Sequence, residues 1–458
     1  MSKLKSKNFS ADFYHFWIFF ALVFLSLAFK LILLKDFRFL PLVGDEYRYW
    51  HNSLRVLRNY FCELNNQAPL YPIFIGFNRL IFNDVAMLVV RIKQLLFHSF
   101  EIFLIYLIAR KVFDKKTAFI AGSFACFYPE LASFAYLLFS ETFFLAFFLS
   151  AVAVYFYAID GRRKNSYLWV GASGFLNGIA SLTRSVNFYF LPLFALHLFL
   201  FFPAEKKKRF LSAGIFILAT LFPVSFQTAK NYKVERCFIL IDTCIRYNLF
   251  VSHNIGISPH TEFRIYRRLC KTERERCEGK NICEEIKCEL KNAFNFIFAH
   301  PVLTIKRIPI KIIDLYTPNQ FIYKNIFYER YYRRVPIEKL VGFDRLKKYQ
   351  GRWFRIICSG SYLLMMLFAF LGFATSKEKP FRAFVAFLVF YYTSVCAFFF
   401  GLSRFRQPML PLFIILAGAF WADVKIWDRK KLYLALLALA SWLVMLIIYL
   451  DRLRVILR

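Results

Sequence analysis

Long runs of apolar residues recur along most of the chain, and short clusters of charged residues separate them. A helix that crosses about 30 Å of hydrocarbon needs about 20 apolar residues. The pattern therefore predicts an all-α polytopic membrane protein with about eleven spanning helices, including a short pair at 168–184 and 188–203. The predicted spans are 13–34, 86–109, 117–135, 137–158, 168–184, 188–203, 210–228, 354–374, 381–401, 408–423 and 432–450.

The composition supports this interpretation and excludes several other classes. Hydrophobic residues make up 59% of the 458 residues and aromatic residues 21%, with a mean hydropathy of +0.46. Soluble domains are typically about 45–50% apolar. Disordered, collagen-like and small disulfide-scaffold proteins are therefore excluded.

The short loops between spans predict how the chain is oriented. Lysine and arginine concentrate in alternate loops, which the positive-inside rule assigns to the cytoplasm. These clusters are Lys111 with Lys115 and Lys116, Arg162 to Lys164, Lys206 to Arg209, Lys377 with Lys379, and Lys425 with Arg429 to Lys431. We expect a cytoplasmic N-terminus, an uncleaved signal anchor as the first span, and two segments on the outer face, 35–85 and 229–353.

This orientation divides the chain into three parts. An N-terminal membrane module (1–228) carries the first outer loop, an outer domain that is mainly helical follows (229–353), and C-terminal membrane helices complete the chain (354–458). Compactness favours a bacterial inner membrane, with any active site facing the periplasm or the exterior.

The net charge of +33 points to anionic partners. No nucleic-acid-binding motif accompanies it, so phospholipid headgroups and phosphorylated lipid substrates are the better candidates.

The outer segment 229–353 is rich in cysteine, and the spacing matches no usual zinc site. An oxidising compartment favours disulfides, although the pairing cannot be deduced from sequence. The cysteines concerned are Cys237, Cys244, Cys270, Cys277, Cys283 and Cys288, whereas Cys126, Cys358 and Cys396 lie in predicted spans as packing residues.

The first outer loop carries a dense polar and aromatic stretch, Gly44-Asp45-Glu46-Tyr47-Arg48-Tyr49-Trp50. A helix over 45–61 would have two opposed faces, each about 80° wide, as in a helix that lies in the membrane interface. One face is apolar, with Tyr47, Trp50, Leu54, Leu57 and Phe61; the other is polar, with Asp45, Arg48, Asn52, Arg55 and Asn59. Asp45 and Arg48 thus converge, while Glu46 points about 100° away from Asp45.

Two interpretations of the Asp45–Arg48 pair remain open. The carboxylate could act as a general base for an attacking hydroxyl while the guanidinium binds a phosphate leaving group. Alternatively, the two side chains form an exposed ion pair within one helix, which contributes only a few tenths of a kcal/mol.

Other ionisable residues lie in or near the predicted spans. Arg91, Gln94, His98 and Glu101 share one stripe; we expect His98 and Glu101 to satisfy each other and Arg91 to meet a lipid phosphate near the outer end. Arg184, Arg404 and Arg406 lie where spans meet the outer face, where each could also snorkel to headgroups. Glu141 follows Ser140 at the start of a span, where a helix N-terminus alone would favour a carboxylate.

The chain contains no Gly-rich phosphate loop, dinucleotide fingerprint, nucleophile elbow or metalloprotease motif. A transporter or flippase for an anionic lipid would explain the intramembrane charges equally well, but the chain lacks the internal repeats usual in transporters. A non-catalytic assembly partner is a third possibility.

Several motifs together resemble the family 39 glycosyltransferases of the GT-C fold, which include protein O-mannosyltransferases and lipid A aminoarabinose transferases. The stretch Gly44-Asp45-Glu46-x-Arg48-Tyr49, in the first outer loop, resembles the family signature. The other matching stretches keep the family's order: Tyr128-Pro129-Glu130, Ser140-Glu141, Gly178-x-Ala180-x-Leu182-Thr183-Arg184, Asn231-Tyr232, Phe238-Ile239-Leu240-Ile241, Tyr247-Asn248-Leu249, His300-Pro301 with Lys311, and Arg404-Phe405-Arg406-Gln407-Pro408 with Pro411.

The resemblance implies inverting transfer of a sugar from a polyprenyl-phosphate carrier to a lipid, glycan or protein hydroxyl on the outer face. By that likeness Asp45 is the catalytic or acceptor-positioning acid, and Arg48 and Tyr49 lie near the carrier phosphate. Arg184, Arg404 and Arg406 match basic positions around the same cavity. Glu46, Arg91 and Glu141 complete the expected substrate-binding set.

Two departures from the family concern the metal and the acceptor. Aminoarabinose transferases carry a second acidic residue before a Lys-Pro pair, where this chain has Asn66-Gln67-Ala68-Pro69. This difference argues against a bound divalent metal, and no other cofactor is predicted. The usual Gly-Asn-Asn is replaced by Ser252-His253-Asn254, so acceptor contacts are expected to differ.

Overall fold

The computed structural model describes most of the chain. The described residues are 2–37, 44–58, 67–160, 165–253, 281–318 and 352–423, with Leu42, Cys277, Tyr433, Leu437, Ala440 and Val444. The predicted span 432–450 and the segment 319–351 therefore lie outside the continuous described ranges.

All regular structure in the described ranges is helical, as the sequence predicted. The α-helices in these ranges are α1 Ser2–Phe37, α2 Asp45–Arg58, α3 Leu70–Phe82, α4 Ala86–Val112, α5 Lys115–Phe127, α6 Pro129–Phe134, α7 Ser140–Ala158, α8 Ser166–Thr183, α9 Leu191–Phe201, α10 Lys206–Glu235, α11 Cys244–Ser252, α12 Ile282–Ala299, α13 Pro301–Tyr316, α14 Arg352–Thr375, α15 Lys379–Phe398 and α16 Leu410–Ala422. Short 3₁₀ turns are Asn83–Val85, Ser185–Phe190 and Ser403–Arg406.

Six of the described helical segments are long and apolar enough to cross a membrane, which makes the chain a multi-pass membrane protein. They are His15–Phe37, Leu70–Val112, Ser140–Ala158, Lys206–Glu235, Ile356–Thr375 and Lys379–Phe398. Two shorter apolar segments, Ser185–Phe201 and Leu410–Ala422, overlap predicted spans. The total of eleven spans stays a prediction.

Two predicted segments differ in detail from the structure. The predicted span 117–135 is broken at Tyr128, because Pro129 lacks a donor N–H and disfavours helical backbone in the residue before it. Tyr128 is accordingly extended, with φ −72° and ψ 113°. The segment predicted as an outer loop, 35–85, contains α3, which continues through a 3₁₀ turn into α4.

Close helix packing in the bundle depends on small residues. A Cβ on Gly174 would lie 2.5 Å from the Phe216 carbonyl oxygen, and one on Gly178 would lie 2.5 Å from the Thr220 carbonyl oxygen. Glycine therefore lets α8 approach the backbone of α10. The apolar helix α16 lies in the core, where Leu410 to Ala419 are all buried.

Helix α2 forms as predicted at Asp45, but its buried face is rotated from the predicted apolar face. Glu46, Ser53 and Val56 are buried, whereas Tyr47 is 57% exposed. The reason is local packing: the Glu46 carboxylate accepts a hydrogen bond from the Leu138 N–H (3.1 Å), which holds this side of α2 against the bundle. Gly76 of α3 also admits the Ser53 carbonyl, which would lie 2.3 Å from a Cβ.

The expected disulfides are present in 229–353, the segment predicted to lie on the outer face. Cys237 pairs with Cys283 and Cys277 pairs with Cys288, so the end of α10 is tied to α12. Cys126, Cys358 and Cys396 are buried free thiols, in agreement with a packing role. Cys244 is also free, and Cys270 lies outside the described residues.

Candidate active site

Asp45 begins α2 immediately after a backbone turn that favours glycine. Gly44 has φ 56°, in the left-handed region that other residues rarely adopt. The Gly44 carbonyl accepts the Arg48 N–H (3.3 Å) and so starts the helix. This turn directs the chain into α2, and the Asp45 side chain stays 34% exposed.

Arg404 joins Asp45 to a second carboxylate from another part of the chain. Its Nη1 donates to Asp45 Oδ2 (2.7 Å), and its Nε donates to Glu141 Oε1 (2.8 Å). Arg184, which follows α8, forms an ion pair with the same Glu141 oxygen (2.5 Å). Arg48 lies on the other side of Asp45, with 3.5 Å between its Nη1 and Oδ1.

These five side chains form one ionic cluster that four elements bring together: the first turn of α2, the start of α7, the residue that follows α8 and the 3₁₀ turn Ser403–Arg406. Glu141 is buried in the first turn of α7, where the helix dipole stabilises its negative charge. Arg184 and Arg404 are 12% and 11% exposed, so neither snorkels to the headgroups.

The cluster strongly affects the ionisation of Asp45. Burial on its own would raise the pKa of this carboxyl, but the charges of Arg404 and Arg48 outweigh it and hold the pKa below its usual value. Conversely, burial and the two nearby carboxylates raise the pKa of Tyr49 to about 12. Tyr49 is therefore a neutral phenol, and its hydroxyl donates to Ser140 Oγ (3.2 Å) beside Glu141.

The charges in the cluster favour an anionic ligand. Three guanidinium groups face two carboxylates, which leaves an excess of one positive charge at a partly exposed position. Arginine pairs with phosphate through parallel hydrogen bonds, so a phosphate fits this excess.

Three residues expected at the site have other partners. Glu46 is buried against Leu138. Arg406 is fully buried and pairs with Glu130, with its Nε 2.9 Å from Oε1, contrary to the expectation that it lines the same cavity. Arg91 is also fully buried and donates to the Phe37 carbonyl (2.7 Å), so the expected exposure to lipid phosphate is wrong.

His98 and Glu101, the deeper pair in α4, bind each other as predicted. His98 Nδ1 and Glu101 Oε2 are 3.0 Å apart and buried, as expected for side chains that satisfy each other.

Sequence reasoning missed a third carboxyl beside the site, Asp242. Its Oδ1 accepts the Cys244 N–H (2.9 Å), and burial raises its pKa. The pKa of Cys244 rises to about 12, mainly through burial but also through the charges of Asp242 and Asp45, which places this loop near α2. The only signal in the sequence is that Asp242 directly follows the Phe238-Ile239-Leu240-Ile241 stretch.

Potential metal ligands are not grouped in the described part of the chain: no three His, Cys, Asp or Glu side chains lie together there as a metal ion would require.

Comparison with known proteins identifies the architecture. Residues 66–227 match the family model described as dolichyl-phosphate-mannose-protein mannosyltransferase. The apo oligosaccharyltransferase of Archaeoglobus fulgidus has a similar structure, with a TM-score of 0.54 and 12% identity over 94% of this chain and 54% of that one. The chain has a GT-C-like fold.

Two further structures are similar. The Archaeoglobus fulgidus enzyme AglB, in complex with an inhibitory peptide and a dolichol-phosphate, gives a TM-score of 0.50 and 11% identity over 95% of this chain and 55% of that one. ArnT from Cupriavidus metallidurans bound to undecaprenyl phosphate gives a TM-score of 0.37 and 11% identity over 90% of this chain and 78% of that one. The GT-C-like chain spans about half the length of the archaeal enzymes. No curated protein sequence matches it.

The family match confirms the resemblance predicted from the sequence motifs. The matched range includes Arg91, Glu141 and Arg184, but Asp45 and Arg404 lie outside it.

Proposed function

We propose that this chain is a glycosyltransferase that moves a sugar from a polyprenyl-phosphate carrier to an acceptor hydroxyl. The observation that carries the proposal is the cluster of Asp45 with Arg48 and Arg404 at the edge of a membrane helix bundle. The family description and the lipid phosphates named for the similar structures support a lipid-linked donor.

The carrier's geometry suits a site at the edge of the membrane. The isoprenoid tail stays in the hydrocarbon, the phosphate lies at the interface, and the sugar projects outward. We place the site on the outer face of a bacterial inner membrane, in accordance with the basic loops.

In the proposed reaction the acceptor oxygen attacks the anomeric carbon from the face opposite the phosphate. A bond forms between the acceptor oxygen and that carbon while the bond from carbon to phosphate oxygen breaks, and its electron pair leaves with the phosphate. The acceptor proton passes to Asp45 and then to solvent. Configuration at the anomeric carbon is inverted, and no covalent enzyme intermediate forms.

Arginine side chains stabilise the departing phosphate. Arg404, Arg184 and Arg48 already bind carboxylates in the cluster, and their donors can bind phosphate oxygens as negative charge develops. Arg91, Arg406 and Glu46 hold the surrounding helices in place through their buried contacts.

The acceptor is a hydroxyl of a lipid such as lipid A, of a protein or of a growing surface glycan, and the sugar is a hexose or a pentose. The site offers carboxylates and the Tyr49 phenol, groups that commonly bind sugar hydroxyls.

The test is release of free polyprenyl phosphate. Purified protein in detergent is incubated with a panel of polyprenyl-phosphate sugars and a crude envelope extract, and the lipids are followed by mass spectrometry. Release from one donor, with an equal amount of glycosylated acceptor, supports the transferase. Retention of intact lipid with no release from any donor would instead support lipid transport.

A further inference from the structure

The arrangement of the cluster conflicts with the role proposed for Asp45, because each of its carboxylate oxygens faces an arginine. Oδ2 accepts from Arg404 at 2.7 Å, and Oδ1 lies 3.5 Å from Arg48. A carboxylate stabilised in this way is a weak base, since its negative charge is already compensated. An acceptor hydroxyl would also have to compete with Arg404 for Oδ2.

Arg404 is held so that it can leave Asp45 without leaving the site. Its Nε donates to Glu141 Oε1 (2.8 Å), whereas a different nitrogen, Nη1, donates to Asp45. Glu141 itself is fully buried, whereas Asp45 is 34% exposed. The contact with Asp45 is therefore the one that an arriving ligand meets first.

Glu141 also has capacity to bind Arg404 more fully. Its Oε2 is buried and accepts no hydrogen bond from the residues that the structure describes. A buried carboxylate oxygen without a hydrogen bond is costly. A second hydrogen bond from Arg404 to Glu141 Oε2 would therefore offset the loss of its hydrogen bond to Asp45.

We infer that Arg404 exchanges partners: it turns from Asp45, which it binds in the structure, to the donor phosphate when the carrier binds, so that Asp45 can accept the acceptor proton. Glu141 is the positioning residue that holds Arg404 in both states. This inference rests on the function proposed above.

The exchange imposes an order on the reaction. The donor phosphodiester carries one negative charge, and its two non-bridging oxygens can accept parallel hydrogen bonds from the guanidinium of Arg404. Negative charge on the phosphate rises toward two as the sugar leaves, so the attraction to Arg404 strengthens during the reaction. The acceptor reaches a competent base only after the carrier has bound, which protects the empty enzyme from unproductive acceptor binding.

Titration of Asp45 by infrared difference spectroscopy tests the exchange. Aspartate labelled with ¹³C at the carboxyl is incorporated, and the spectrum of Asp45→Asn is subtracted to isolate Asp45. The protein is titrated in detergent alone and with saturating polyprenyl phosphate, whose binding is measured separately. We expect the lipid to move the Asp45 titration upward by about one pH unit or more, the size of effect that one adjacent arginine exerts.

Two variants separate exchange from the direct effect of the phosphate charge. Without lipid, Asp45 should titrate at higher pH in Arg404→Gln than in the wild type. Bound lipid should then raise the titration of Asp45 much less in this variant than in the wild type. Arg55→Gln, an exposed change on α2, should behave as the wild type does. The inference alone would be overturned if the lipid shifted the Asp45 titration equally in Arg404→Gln and in the wild type. It would also be overturned if bound lipid left the Asp45 titration of the wild type unchanged.

Absence of polyprenyl phosphate binding would overturn the inference together with the proposed function.

A second measurement needs only the wild type. The fall of kcat/KM at low pH reports the pKa of the essential base in the free enzyme. The fall of kcat at low pH reports the pKa of that base in the complex with substrate. Exchange requires kcat to fall at a higher pH than kcat/KM does. If both fall at the same pH, the inference is contradicted, even if Arg404→Gln could not be purified.

Discussion

Arg48 and Arg55 lie two turns apart on α2, and only Arg48 is near Asp45, the proposed general base. Arg48 Nη1 is 3.5 Å from Asp45, whereas Arg55 is exposed. We expect Arg48→Ala to raise KM for the polyprenyl-phosphate sugar about fivefold to tenfold, the cost of one charge-assisted contact to phosphate at a partly exposed position. Arg55→Ala should stay within twofold of the wild type.

Initial rates over a range of donor concentrations check this prediction. Equal KM values in the two variants would show that carrier phosphate does not reach this side of Asp45.

At the residue scale the sequence reveals Asp45 but not its principal partner. Helical periodicity pairs Asp45 with Arg48 because they are three residues apart. The shorter contact, with Arg404, joins residues 359 positions apart, and only the tertiary fold brings them together. Family resemblance indicated Arg404 and Arg406 equally. The structure separates them, because the side chain of Arg406 is fully buried against Glu130 and that of Arg404 is not.

At the element scale, contact between α8 and α10 depends on Gly178. A Cβ there would lie 2.5 Å from both the Thr220 carbonyl oxygen and Pro223 Cγ, so the helices must separate. We expect Gly178→Ala to destabilise the protein by about 1–3 kcal/mol through overpacking. Because Arg184 follows the end of α8, activity should fall as well.

Gly214→Ala is the matched control, since nothing lies within 4 Å of its Cβ position on α10. In a helix this change is neutral or stabilising by up to about 1 kcal/mol. Thermal unfolding in detergent compares the two variants, and equal midpoints would contradict the close packing of α8 on α10.

Hydrophobic runs locate most helices but not all their limits. Apolar length predicted α4, α7, α10, α14 and α15 well, because each is one continuous helix. It could not separate α5 from α6, where one proline ends the helix inside an apolar run. It also missed α3, because this helix has 13 residues and its apolar run is shorter than the about 20 residues that a span needs.

At the scale of the whole molecule, the disulfides report which side of the membrane the outer segment occupies. Cys237–Cys283 and Cys277–Cys288 require an oxidising compartment. When unreduced protein from the cell is denatured and alkylated, we expect these four cysteines to stay unlabelled. The thiols of Cys126, Cys244, Cys358 and Cys396 should react.

Peptide mapping by mass spectrometry measures the labelling. Complete alkylation of all eight would contradict an outward-facing segment and reverse the proposed orientation of the active site.

The overall architecture followed from the order of apolar segments and motifs, because a membrane limits the chain to helices whose polar backbone is internally satisfied. The relative placement of α2, α7 and the Ser403–Arg406 turn could not be read in this way. It depends on specific contacts such as Glu46 with Leu138 and Tyr49 with Ser140, which no periodicity encodes.

The most direct test of the proposed glycosyltransferase compares Asp45→Asn with Asp84→Asn. Asp84 is an exposed carboxylate in the turn between α3 and α4, with no place in the proposed chemistry. Using the donor that the wild type accepts, release of free polyprenyl phosphate is measured for both folded variants. We expect Asp45→Asn to lose at least about 100-fold in rate, as for loss of a general base, and Asp84→Asn to retain wild-type activity. Release by Asp45→Asn at the wild-type rate would contradict the account.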